Sequence, residues 1–131
     1  MTNEFIAEPE NLGLTAASAL STSALVTALI EHLGLRLVAY LGGANEVMTV
    51  RQWSQGTSTI SDTDTIERLR LALGAAEMIT AAASSGLTQA WFQGLNPALN
   101  DMSPAWLLRN ADTDTIRPKI LAAARQCAAP G

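Results

Sequence analysis

The chain has 131 residues, enough for one domain, or two closely packed small ones, that bury about two-thirds of the surface exposed by the unfolded chain. It is 48% hydrophobic but only 5% aromatic, with Ala and Leu supplying most of the apolar residues, and that composition favours helix over sheet. A formal net charge of −4 excludes a general nucleic-acid binder, since affinity for DNA comes largely from Lys and Arg neutralising phosphates, and leaves room only for a local contact.

Residues 1–33 hold four acids and no Lys or Arg, whereas residues 34–60 hold Arg36 and Arg51 against Glu46, so the acidity lies away from the middle. Cys127 stands alone, so no intramolecular disulfide can form, and no Cys/His cluster offers a metal site. The longest nearly apolar stretch, 16–30, is interrupted by Ser18, Ser21, Thr22, Ser23 and Thr27 and is too short to span a bilayer. Asn3, Glu4 and Glu8 stand where a signal peptide needs basic residues. The expectation is a cytoplasmic protein with no membrane partner.

Residues 1–13 combine acids, Pro9 and no sustained periodicity, and read as a flexible arm. Leu20, Ala24, Leu25, Ala28, Leu29 and Leu33 then recur at helical spacing, predicting a helix over 15–33 that stops at Gly34. A short second helix covers 35–41, with Leu35, Val38, Ala39 and Leu41 on one side and Gly42-Gly43 after it. Val47, Val50 and Trp53 stand three apart in a third helix, 46–55, with Gly56 as its C-cap. Residues 57–65, rich in Ser, Thr and Asp, form a loop from which Asp62 or Asp64 caps the next helix.

That helix, 66–83, is the longest: Ile66, Leu69, Leu73, Ala76 and Ile79 make its stripe, Leu71 and Met78 widen it, and Ser84, Ser85 and Gly86 end it. A turn of helix at 87–92 precedes the break at 96–100. Ser103 and Pro104 suit the unpaired N–H groups of a helix opening, so a short helix begins there. Asp112 or Asp114 caps a last helix through Ile116, Ile120, Leu121, Ala124 and Cys127, up to Pro130. The string Asp-Thr-Asp-Thr-Ile stands at 62–66 and again at 112–116, but the residues that follow differ, so it marks two similar caps. The reading is an all-α, compact multi-helix bundle with a helix-turn-helix-like N-terminal half. Its parts are an arm at 1–13, a helix plus hairpin at 14–60, and the long helix with a C-terminal region at 61–131.

Residues 35–56 carry the first functional signal. In a helix-turn-helix, a small residue stands where the helices cross, a Gly or polar residue in the turn, and apolar residues inside the second helix; Ala39, Gly43, Val50 and Trp53 fill those places. Asn45, Thr49, Arg51, Gln52 and Gln55 remain outside and are types that reach base edges or phosphates. The segment resembles Xre-type DNA-binding domains, whose second helix reads Thr-Val-x-x-Trp-x-x-Gly, here Thr49, Val50, Trp53 and Gly56. It departs from them by one extra residue between Gly43 and Thr49. The alternative is a helical hairpin with Trp53 as core and Arg51 as solvated surface.

The second signal lies in 91–110. Pro97 and Pro104 restrict the backbone there, while Trp91, Phe92, Leu95 and Trp106 supply area for core packing or for a partner. The segment resembles the signature of the Xre/MbcA/ParS toxin-binding domain: an aromatic after a long helix, Asn-Pro-x-Leu, a polar turn, Ser/Thr-Pro and a Leu-rich helix. Trp91, Asn96, Pro97, Leu99, Ser103, Pro104, Leu107 and Leu108 match in order, and the resemblance extends over 34–128. Asn100 and Asp101 stand where Gly-Gly is common, and both tolerate left-handed backbone.

The resemblance implies an antitoxin that does no chemistry, carries no cofactor, and docks at the active-site entrance of a RES-type toxin, whose relatives degrade or transfer from NAD. Trp91, Asn96, Pro97, Leu99, Trp106, Arg109 and Arg125 are then the candidate partner-binding residues, and Arg117 and Lys119 complete the basic set of this half. It also implies repression of the toxin's operon through operator DNA. Helix-turn-helix proteins commonly act as homodimers, for which the apolar first helix is the expected extra surface. The other class is a stand-alone transcriptional regulator, of a host or a phage, with no toxin partner. His32, beside Glu31, lacks partners for a nucleophile or metal, Gly42-Gly43 lacks the flanks of a phosphate loop, and Cys127 reads as buried structure; no catalytic or metal-binding residue is expected.

Overall fold

Ser21, Asp62, Ser84, Asn96, Ser103 and Asp112 each accept, through a side-chain oxygen, a hydrogen bond from a backbone N–H two or three residues on, and each opens a helix. The computed structural model describes residues 20–129. The helices are α1 (Thr22–Leu33), α2 (Leu35–Gly42), α3 (Val47–Gln55), α4 (Thr63–Thr80), α5 (Ser85–Gln93), a 3₁₀ turn (Pro97–Leu99), α6 (Pro104–Asn110) and α7 (Thr113–Ala128). This is the all-α bundle expected from composition and periodicity, and no strand occurs among the described residues. The arm expected at 1–13, and residues 14–19 of the first expected helix, lie outside the described residues.

Boundaries follow the caps. Ser21 starts α1, which leaves Leu20 outside the helix. Asp62 rather than Asp64 caps α4, so α4 begins three residues before the first apolar residue of its stripe and ends at Thr80. Ser84, expected to end the long helix, instead begins α5 by accepting from the Leu87 N–H.

A helix apolar on every side belongs in an interior. In α4, Leu69, Leu71, Ala72, Leu73, Gly74, Ala75, Ala76 and Ile79 are all buried, so α4 is the central helix and packs chiefly against α7 and α1. The small side chains at 72 and 74–76 are what allow neighbours to approach it from several directions. The core runs from Leu25 to Ala124 and crosses position 60 without interruption.

The apolar face of α1, Leu25, Val26, Leu29 and Leu33, is spent on that core, while Thr27 and Glu31 face outward. The described part of α1 therefore does not offer the apolar dimer surface expected of it.

The α2–α3 hairpin turns at Gly43, whose φ of +72° is left-handed, and the Ala44 N–H closes the turn on the Ala39 carbonyl at 2.9 Å. Gly43 thus fills the expected turn place. Ala39 is buried, but the position that tolerates no side chain is Gly42, against Trp53. Val50 and Trp53 point inward from α3, and the Ser23 hydroxyl of α1 donates to the Ser54 carbonyl at 2.6 Å. Two cations close the carbonyl end of α2: Arg68 Nη1 donates to Leu41 O at 3.0 Å and Arg109 Nη1 to Tyr40 O at 3.1 Å. Positive charge is favourable there because helix-terminal carbonyls carry partial negative charge.

Candidate functional site

Two surfaces carry the candidate residues. On α3, Met48, Arg51, Gln52 and Gln55 recur at helical spacing and are exposed, forming one outward stripe. Thr49 is half-buried at its shoulder, and Asn45 is exposed in the preceding turn. The fold thus brings Arg51, Gln52 and Gln55 together and adds Met48, 54% exposed, to which no role was assigned from the sequence. Arg51 is the single charge on this helix, and Glu46, exposed at its N-cap, forms no side-chain capping bond. Such a face can touch a polar partner through side-chain amides but neutralises few phosphates.

The second surface is organised by Asn96. Its Oδ1 accepts from the Ala98 N–H at 2.9 Å, its carbonyl accepts from the N–H groups of Leu99 and Asp101 at 2.9 Å, and its own N–H donates to Met102 O at 3.1 Å. Asn100 and Asp101 take positive φ, +58° and +63°, the left-handed backbone that both residue types were expected to tolerate. The loop is therefore locked by its own backbone. Leu99, 4% exposed, plugs into the core beneath it, whereas Leu95, 77% exposed, and Met102 and Trp106 stand outside.

The expected partner residues separate accordingly. Pro97 and Trp106 are exposed, and Asn96 is a half-buried organiser of the loop. Leu99 presents nothing to a partner, because its side chain is in the core. Trp91 is half-buried and stacks edge-on against the fully buried Phe92, with ring centroids 5.0 Å apart. Arg109 has an internal task, since its guanidinium lies 4.6 Å from the Tyr40 ring centroid while bonding the Tyr40 carbonyl. Arg117 pairs with Asp114 at 3.3 Å and Glu67 at 3.8 Å. Arg125 and Lys119 are exposed along α7 and, with Ala98 and Gln126, line a groove of about 560 Å³. Lys119 is shared with an adjoining groove of about 450 Å³ that Met102, Leu107 and Ile116 also line. Met102 was missed because nothing local in a loop says which side chain faces out.

Glu77 is the interior acid. Its Oε1 is buried with no hydrogen-bond partner, and burial pushes its carboxyl above the ordinary range while His32 pulls it back. Asp62 and Asp112 are held below the ordinary range, first by the hydroxyls of Thr65 and Thr115. Among the described residues, no three His, Cys, Asp or Glu side chains converge on a metal-sized site, and no helix is long and apolar enough to cross a membrane.

Compared with known proteins, the chain matches no protein-family profile, no curated protein and no solved structure.

Proposed function

We propose that this chain is an antitoxin-like regulator that neutralises a partner protein, a toxin of the RES type, and does no chemistry itself. One observation carries the reading: Leu95, Met102 and Trp106 are exposed around a loop whose backbone is fixed by four hydrogen bonds to Asn96. Large apolar side chains held outward on a rigid support lose little conformational freedom when a partner covers them, which is the property of interface anchors. The basic groove beside this loop, with Lys119 and Arg125, would face an acidic partner. The ordered resemblance of residues 91–108 to the toxin-binding signature supports a RES-type toxin as that partner.

The experiment is co-expression with the product of an adjacent RES-type gene. Growth arrest relieved by this chain, and no longer relieved by a Leu95→Ala/Trp106→Ala variant that remains folded, is the expected result. Toxicity that persists with the intact chain present would refute the reading.

A second reading concerns the outward stripe of α3. The alignment of Arg51, Gln52 and Gln55 on one exposed face favours a local contact with operator DNA in the major groove. Gel-shift binding to the chain's own promoter should weaken with salt and be lost in Arg51→Ala. No shift at low salt would remove it. The two roles are compatible as autoregulation, and a lone transcriptional regulator remains if only the second test succeeds.

A further inference from the structure

A third feature lies where the hairpin meets the C-terminal region. Arg36, Leu37 and Tyr40 of α2 form one wall of a groove of about 280 Å³; Gln93 of α5 and Ser103 and Ala105 at the start of α6 form the other. That volume is near the lower end of the range for small-molecule sites. Its floor is apolar, because Leu37 and Ala105 are both buried core residues. Its rim is polar: the Ser103 hydroxyl is taken by the Trp106 N–H, but three other groups are not taken. Among the described residues Arg36 forms no hydrogen bond or ion pair, and neither the Tyr40 hydroxyl nor the Gln93 amide has a partner. A second guanidinium, from Arg109, covers the Tyr40 ring at 4.6 Å and adds positive potential.

We propose that this groove binds a small organic monoanion, a carboxylate carried on a short apolar or aromatic body. Arg36, four residues before Tyr40 on α2, offers the planar fork that pairs with a carboxylate through two parallel hydrogen bonds. Gln93 and the Tyr40 hydroxyl can donate to the same group, and the body lies on Leu37 and Ala105. One unpaired guanidinium on a chain of net charge −4 suits a single negative charge better than a phosphate dianion, and the apolar floor offers inorganic phosphate nothing. Because the walls come from α2 on one side and from α5 and α6 on the other, a bound ligand would tie the hairpin to the C-terminal region. The inference needs neither the toxin nor the operator.

The test titrates the full chain with sodium benzoate, with acetate, phosphate and chloride as separate arms at matched ionic strength, following amide resonances and thermal midpoint. Benzoate is expected to shift the signals of Arg36, Tyr40 and Gln93 saturably and to raise the midpoint. Acetate, lacking the body, and phosphate, lacking the fit, should bind more weakly. Arg36→Gln, a change at an exposed position, should weaken benzoate by roughly tenfold or more, the effect of losing a charge-assisted pair. Absence of saturable shifts with benzoate overturns the proposal. So does equal affinity in Arg36→Gln, or phosphate binding at the same residues as tightly as benzoate.

Discussion

The indole of Trp53 lies directly against Gly42: a Cβ built at Gly42 would stand 2.8 Å from Trp53 Cζ3 and 3.2 Å from Cη2. The last residue of α2 is therefore a glycine because α3 lays a ring across it, and the hairpin owes its closeness to that pair. Gly42→Ala is expected to lower stability by about 1–2 kcal/mol, the overpacking penalty less a small gain in helix propensity. Trp53→Phe removes the two atoms that collide, so urea denaturation of the double mutant should show strong coupling. Additivity within about 0.5 kcal/mol would contradict this geometry.

Left-handed backbone at two successive residues makes the loop after Asn96 sensitive to what stands there. Asp101, at φ +63°, has a side chain that tolerates this region, while alanine does not. Asp101→Ala should cost about 1 kcal/mol, and Asp101→Gly should cost less or stabilise, because glycine takes positive φ without steric penalty. Equilibrium unfolding of the two variants compares them directly. Equal losses in both would point to the carboxylate rather than the backbone.

Arg109 and Tyr40 are 69 positions apart and joined twice, by the Nη1–carbonyl bond at 3.1 Å and by the ring contact. A double-mutant cycle with Arg109→Ala and Tyr40→Leu should give a coupling of about 0.5–1 kcal/mol, as for an exposed cation–π pair. Arg109→Lys should recover only part of it, since an ammonium lacks the planar stacking surface. A coupling near zero would mean that the ring contact adds nothing to the carbonyl bond.

The pH dependence has two limbs of opposite sign. Burial raises the Glu77 carboxyl, so its contribution to stability is greatest below the ordinary Glu value and is lost as pH rises through the folded-state value. Glu77→Gln should therefore raise the thermal midpoint at pH 7 and make no difference in acid, where the native carboxyl is already protonated. Asp62 and Asp112 are depressed by their Thr65 and Thr115 hydrogen bonds, so their contributions persist above the ordinary Asp value and disappear as pH falls through the lowered ones. Asp62→Asn/Asp112→Asn should flatten the acid limb of the stability profile. An unchanged acid limb would mean that these caps do not drive acid unfolding.

The sequence by itself determined what acts over one helical turn. Ser103 and the two Asp-Thr-Asp-Thr strings were legible as helix openings because a capping oxygen reaches only about three residues on, so its partner is always nearby in the chain. Ser21 and Ser84 cap by the same rule, but a Ser within or after an apolar run does not by itself say whether it opens a helix, continues one or ends one. The apolar period marked the inward faces for the same reason, and Asn100 and Asp101 marked a left-handed turn through their own backbone preference. The outward stripe of α3 was legible to that extent, apart from Met48.

Tertiary structure decided everything that depended on distant neighbours. Leu95, Leu99 and Met102 are similar apolar residues in one aperiodic stretch, yet only Leu99 enters the core, because the hydrogen bonds around Asn96 turn it inward and leave the other two exposed. Arg109 and Arg125 read alike as basic residues of the C-terminal half, but only Arg109 meets the carbonyl end of α2. No local rule carries that information, since whether an apolar side chain becomes core or contact surface, and whether a cation is paired or free, is set by which elements pack beside it.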